Sequence, residues 1–239
     1  GLDVDALTEA LGEETPAFLY TIPVHQNPTG ATMSEPRRRR LVELAEEHGF
    51  LVLADEVYQL LTYEGDAPGP FSRFIDTGRV CALGSFSKIL APGLRMGWIS
   101  ADGEILRRIV GSGFLDSGGG LAPVSSALLH DAVADGRLER HVAALRAAYR
   151  ARRDALVGAL ETAPLRVVAP HGGYFIWAEL PEGMSAAEVL PRAREAGVGF
   201  VPGPRFSATE SLSRYLRISF SYYDPERIAE GARRLLSVL

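Results

Sequence analysis

A recurring order of short apolar run, polar tip and amphipathic stretch constrains the architecture of this chain more than any other feature. Phe18 to Pro23 (FLYTIP) is apolar and of strand length, and the polar, turn-rich VHQNPTGATMS follows it. Ser34 then offers a helix N-cap and Pro36 falls in the first turn. Leu41, Leu44 and Ala45 keep helical spacing until Gly49 ends it. Phe50 to Ala54 (FLVLA) is the next apolar run, with Asp55 and Glu56 directly after it. Strand, polar tip, helix and strand in this order form the βαβ unit of a mostly parallel sheet. Arg79 to Leu83 and Met96 to Ser100 read as further strands. Ahead of them, 3–13 has helical spacing, with Val4, Leu7 and Leu11 on one face.

The second half changes character. Residues 103–112 and 124–134 read as helices around a glycine-rich stretch, 111–123, of which 111–120 reads as a loop. A long Ala/Leu/Arg helix over 138–162 suits a bridge between two domains. Strands over 166–169 and 174–180, a helix over 185–196, strands over 198–201 and 216–223 and a helix over 225–238 complete an α+β unit of ordinary domain size. The expected fold is therefore α/β: a large domain over 1–136 with a mostly parallel sheet flanked by helices, then a small α+β domain over 137–239.

Composition removes several function classes. A net charge of −5 argues against a nucleic-acid binder, and a single cysteine excludes a disulfide scaffold. No apolar run approaches the ~20 residues that span a bilayer. The first five residues hold two acids and no apolar core, so no signal peptide is expected. The cations are 24 Arg and one Lys, Lys88. Arginine cannot replace lysine where a neutral amine must attack a carbonyl, because its guanidinium stays protonated. Chance accounts for a lone lysine equally well, so the count alone leaves both readings open.

In open parallel sheets, ligands bind at the carboxyl edge of the strands. Here that edge carries Asn27-Pro28-Thr29-Gly30, Asp55-Glu56-Val57-Tyr58, Ser85-Phe86-Ser87-Lys88 and, after a short loop, Arg95. Amine, carboxylate, phenol, amide, hydroxyls and guanidinium together suit a phosphorylated aldehyde with a pyridine ring. The strings HQNPTGATMS, ADEVY, SFSK, APGLRMGW and LRISF stand at intervals of 28 (Asn27 to Asp55), 3 (to Tyr58), 30 (to Lys88) and 7 (to Arg95). In order and spacing they resemble the fold-type I, class I/II family of pyridoxal-phosphate (PLP)-dependent aminotransferases. The details are most similar to 2-aminoadipate and multi-substrate aminotransferases and to the aminotransferase-like domains of MocR-type regulators. The resemblance runs from about Phe18 to the C-terminus.

The resemblance implies a role for each residue. Lys88 matches the lysine that forms a Schiff base with the cofactor and later moves a proton. Asp55 matches the carboxylate that binds the pyridine nitrogen and keeps it protonated. Tyr58 and Asn27 match the donors to the cofactor's phenolic oxygen, Asn27 lying beside substrate as well. Ser85, Ser87 and Arg95 match the phosphate anchors. Arg217 matches the arginine that grips the substrate α-carboxylate with its planar fork. The implied activity moves an amino group between an amino acid and a 2-oxo acid by a ping-pong cycle, in a cytoplasmic homodimer with no membrane or nucleic-acid partner. Two other readings carry the same motifs: a PLP or amino-acid sensor domain of a MocR-type regulator, and a PLP-dependent lyase or decarboxylase.

Other features have plainer readings. Arg37 to Arg40 precede Glu43, Glu46 and Glu47, as on a solvated helix face. Glu56 reads as structural. The five histidines lack metal-ligand spacing, so no metal is expected. Cys81, Trp98 and Trp177 read as core. The family's first strands, a phosphate-holding helix N-terminus and a ring-stacking aromatic have no candidate in 1–20. By resemblance, then, these residues form the C-terminal portion of the fold, a segment inactive by itself.

Overall fold

The computed structural model describes residues 1–120, 122–161 and 163–239. Asp3 caps the first helix, α1 (Val4–Ala10), by accepting from the backbone N–H of Asp5 and Ala6. The strands β1 (Phe18–Thr21), β2 (Leu51–Asp55) and β3 (Val80–Ser85) pair in parallel, with Thr21 opposite Ala54 and Ala54 opposite Ala82. Helix α2 (Glu35–His48) makes the crossover from β1 to β2. β4 (Gly97–Ala101) pairs antiparallel with β3, and the sheet runs β1-β2-β3-β4. The reversal follows from length. Only residues 86–96 separate β3 from β4, fewer than the dozen or so a parallel crossover needs.

Helix α2 seals one face of this sheet. Leu41, Leu44, Ala45, Phe50, Val52, Ala54 and Phe71 are fully buried in one cluster. The helix ends at Gly49, whose φ of 82° glycine adopts without strain. Two expectations change here. Ser34 occupies the N-cap position but makes no capping hydrogen bond. Arg38 is not on a solvated face. It is fully buried, with Nε donating to Met33 O (2.9 Å), Nη1 to Gly69 O (2.9 Å) and Nη2 to Pro23 O (3.1 Å), over the Phe71 ring. Carbonyls turned inward by the flanking loops supply the partners a buried cation requires.

Past β4 come α3 (Gly103–Val110), α4 (Gly113–Asp116), α5 (Pro123–Ala134) and α6 (Arg137–Leu160). The loop expected over 111–120 thus contains α4, and Leu121 in the rest of the glycine-rich stretch lies outside the described residues, as does Thr162 at the end of the expected long helix. The later strands β5 (Arg166–Val167), β6 (Phe175–Glu179), β7 (Val201–Pro202) and β8 (Tyr215–Ser219) form an antiparallel sheet in the order β5-β6-β8-β7. Helices α7 (Ala186–Glu195) and α8 (Pro225–Leu236) accompany it. The expected strand over 198–201 is reduced to its last residue and Pro202, and β8 stops four residues before the expected end.

The described residues divide into two compact units: Gly1–Val24, Thr32–Leu61 and Asp66–Ala144 in the first; His25–Ala31, Thr62–Gly65 and Leu145–Leu239 in the second. No described helix is long and apolar enough to cross a membrane. Cys81 is buried as expected. Trp98 is not core: it is 43% exposed on β4, edge-on to Phe86 and lying where a Cβ on Gly84 would sit.

Candidate active site

In the first unit the candidate residues follow the carboxyl ends of the parallel strands. Asp55 is the last residue of β2. Its Oδ1 accepts from the backbone N–H of Val57 (3.3 Å), and its Oδ2 accepts from the hydroxyl of Tyr20 on β1. Burial and the Asp55 bond both push the Tyr20 phenol above its ordinary pKa, so the proton stays on the phenol and Tyr20 is the donor. Tyr58 is buried just beyond Asp55, and its charge would add to the same upward push on Tyr20. Glu56 turns the other way. It is buried and accepts from the Phe71 N–H at 2.8 Å. Burial raises its pKa, which the Phe71 bond and the Arg38 cation only partly offset. These contacts give Glu56 a structural part.

The end of β3 and the β3–β4 connection carry the other four candidates of this unit. Ser85 is paired with Gly97, and the Phe86 N–H reaches Met96 O at 3.1 Å, so the ends of the loop are pinned together. Ser87, Lys88 and Arg95 all lie on it. Its first turn is tight, with the Leu90 N–H donating to Phe86 O at 2.8 Å. Ser85 Oγ accepts from the Ser87 N–H (3.1 Å), while its approach to Met96 O is 3.5 Å, at the long limit. Arg95 takes φ = 51° and its Nη1 donates to Pro92 O at 3.2 Å. The side chain is exposed.

In the second unit the structure joins two residues 190 positions apart. Arg217 Nη1 donates to Asn27 Oδ1 at 2.6 Å. A guanidinium only donates, so this bond fixes the amide and leaves the Asn27 NH2 group facing away as a donor. The Arg217 guanidinium is stacked over the Phe175 ring, 4.0 Å from its centroid, and faces Phe206 at 4.9 Å. Two aromatic faces and an amide thus hold it in one orientation. Trp177, expected in the core, is half-buried beside this pair, stacked on Tyr215 and edge-on to Phe206.

Loop Asn27 stands on is itself tied down. His25, at φ = 47°, bonds Thr62 Oγ1 through Nε2 (2.8 Å) and lies against Gly172, where a Cβ would overlap its ring. The Tyr63 N–H donates to His171 O (3.1 Å), and Arg153, 5% exposed, donates to Pro170 O (2.8 Å) and pairs with Glu64 and Asp154. Burial first, then the nearby His171, depresses the His25 pKa from 6.5 to about 4, so His25 is neutral near pH 7.

The family model for class I and II aminotransferases matches residues 1–235. The chain belongs to this family. It is 38% identical over 248 residues to aromatic-amino-acid aminotransferase 1 of Thermococcus litoralis, covering 100% of this chain and 59% of that protein. The solved structure of LysN, an α-aminoadipate aminotransferase of Thermus thermophilus complexed with N-(5'-phosphopyridoxyl)-L-leucine, is 38% identical with a TM-score of 0.91, over 100% of this chain and 62% of that one. An uncharacterized HTH-type transcriptional regulator of Escherichia coli, YdcR, is 30% identical over 98% of this chain and 50% of its own length. The chain thus spans about 60% of the length of the aminotransferases it matches. The expected α/β architecture with a parallel-containing sheet agrees with these structural neighbours.

Three side chains beside the candidate residues carried no motif signal. Tyr20 reaches Asp55 only through the β1–β2 register, and Phe175 and Phe206 frame Arg217 only through the second sheet and the turn after β7. Alternation along FLYT marks Tyr20 as sharing a face with Asp55 once the parallel pairing is known.

Proposed function

We propose that this protein is a PLP-dependent aminotransferase, moving an amino group between an amino acid and a 2-oxo acid by a ping-pong cycle. The observation that carries the reading is Lys88, the single lysine, on a pinned loop after β3 in the same unit as the doubly hydrogen-bonded carboxylate of Asp55. The residues fit the cofactor's chemistry. An ordered carboxylate suits a protonated ring nitrogen, and a loop that carries hydroxyls and a guanidinium suits a phosphate. PLP would supply an aldehyde that condenses with amines and a ring that takes up the electron pair left when a Cα–H bond breaks.

The chain's own residues then divide the work. Lys88 would hold the cofactor through Nζ and, as a free amine, would move the proton to and from the substrate Cα. Asp55 keeps the ring nitrogen protonated. Tyr58 and the NH2 group of Asn27 donate to the phenolic oxygen, stabilising its anion. Ser85, Ser87 and Arg95 hold the phosphate. Arg217 takes the substrate α-carboxylate, its fork already aligned by Phe175, Phe206 and Asn27. The same proposal places the protein in the cytoplasm as a homodimer. A single buried cysteine needs no oxidising compartment, and the exposed Phe114, Val124 and Leu128 would be covered by a second copy.

The test is the absorbance of the full-length protein with added PLP. We expect a visible band from the bound cofactor, absent in Lys88→Ala, converted by an amino acid and restored by a 2-oxo acid. Absence of the band in the wild type would overturn the proposal. A band that no amino acid converts would favour the second reading, a sensor domain of a transcriptional regulator, which the likeness to the Escherichia coli regulator supports.

A further inference from the structure

Tyr20 has no role among the motif residues, yet it makes the most direct side-chain contact with Asp55. In the parallel register Tyr20 stands opposite Leu53, and side chains alternate along β2, so Tyr20, Leu53 and Asp55 share one face of the sheet. Asp55 is the diagonal neighbour of Tyr20, a separation an aromatic side chain can bridge. It does so: the phenol donates to Asp55 Oδ2. Burial of the ring does not explain the residue, because Tyr20 is 53% exposed and phenylalanine would offer the same apolar surface. What tyrosine adds is one hydroxyl, and that hydroxyl is on the carboxylate.

The other carboxylate oxygen accepts a 3.3 Å bond from the Val57 N–H, two residues along the same chain. A long bond to one oxygen leaves the carboxylate's rotation about its Cβ–Cγ bond loosely determined. A second bond, to the other oxygen and from a neighbouring strand, fixes it. A carboxylate fixed in one orientation is what a ring nitrogen needs as a partner.

We propose that Tyr20 is a positioning residue for Asp55: its hydroxyl sets the orientation of the carboxylate toward the ring nitrogen of the cofactor. The inference rests on the assignment of Lys88 and Asp55 to PLP made above. Tyr20 itself need not touch cofactor or substrate.

The experiment compares wild type, Tyr20→Phe, Asp55→Ala and the double variant, each as the full-length protein. Two quantities are measured: the PLP dissociation constant by titration, and the ring-nitrogen chemical shift of 15N-labelled PLP bound to the protein. A hydrogen bond to a charged group contributes enough that Tyr20→Phe is expected to weaken PLP binding roughly tenfold. The 15N resonance is expected to move toward the unprotonated position. In the Asp55→Ala background Tyr20→Phe should change neither quantity, because its target is gone. An unchanged dissociation constant and 15N shift in Tyr20→Phe would overturn the proposal. So would a loss of affinity equally large with Asp55 absent, since that would mark a merely structural tyrosine. A wild type that binds no PLP at all would instead overturn the cofactor assignment on which the proposal stands.

Discussion

Arg217 and His25 show how the second unit prepares single residues. The Arg217 fork is stacked between two rings and fixed by Asn27, so its value lies in planarity as much as charge. Lysine keeps the charge and loses the plane. Arg217→Lys should raise KM for both amino acid and oxo acid by about 10- to 100-fold, on the scale of one bidentate charged contact, with a smaller change in kcat; steady-state kinetics checks this. His25 makes a pH prediction. Its folded pKa is depressed, about 4 against 6.5, so below pH 6.5 the unfolded chain binds the proton first. Its contribution is whole above about pH 6.5 and fades as pH falls toward 4, by up to about 3 kcal/mol. Melting temperature against pH should show this slope, and His25→Asn, which suits the positive φ, should flatten it. Motif spacing revealed Lys88, Asp55, Tyr58 and Arg217 as candidates because such chemistry demands particular residue types. It could not reveal Tyr20, Phe175, Phe206 or His25, whose parts arise from register, stacking and a tight approach to Gly172.

At the scale of elements, periodicity was a good guide wherever one face is buried and a poor one elsewhere. Strands β1 to β3 and helices α2, α6 and α8 are legible because apolar spacing and helix stops coincide. The antiparallel hand of β4 depends on the length of a loop, and the shortness of β7 on a proline that cannot donate to a ladder. Arg38 was misread because one position within a run of four arginines carries no mark of burial; the backbone carbonyls around it decide the matter. Arg38 fastens α2 to the loops at Pro23, Met33 and Gly69. Arg38→Ala would leave those carbonyls unpaired and remove a cation near the buried Glu56. We expect a loss of about 3 kcal/mol, read from the urea midpoint near pH 7. The Glu56 pKa is already raised by burial, so its ionised form is the costly one. As pH falls and Glu56 takes up a proton, part of the deficit of Arg38→Ala should return.

At the scale of the whole molecule, the proposed homodimer has a candidate surface. Val124 and Leu128 are one helical turn apart on α5, at 74% and 68% exposed, and Phe114 on α4 is 68% exposed. Single exposed apolar residues are common, but a pair at i and i+4 with a phenylalanine on a nearby helix has no obvious use in water. Homodimerisation would remove this surface and would also explain why tertiary burial leaves α5 so lightly held, with Leu129 its only buried residue among those described. If α5 lies at the subunit interface, Leu128→Arg should shift the full-length protein from dimer toward monomer in light scattering. The melting transition of the monomer should then lose its dependence on protein concentration. PLP binding at saturating cofactor should survive where the site is built within one subunit, and weaken where the second copy completes it. A full-length protein that is monomeric before any substitution, with these side chains still open to water, would remove the dimer from the proposed function while leaving the roles of Lys88 and Asp55 intact.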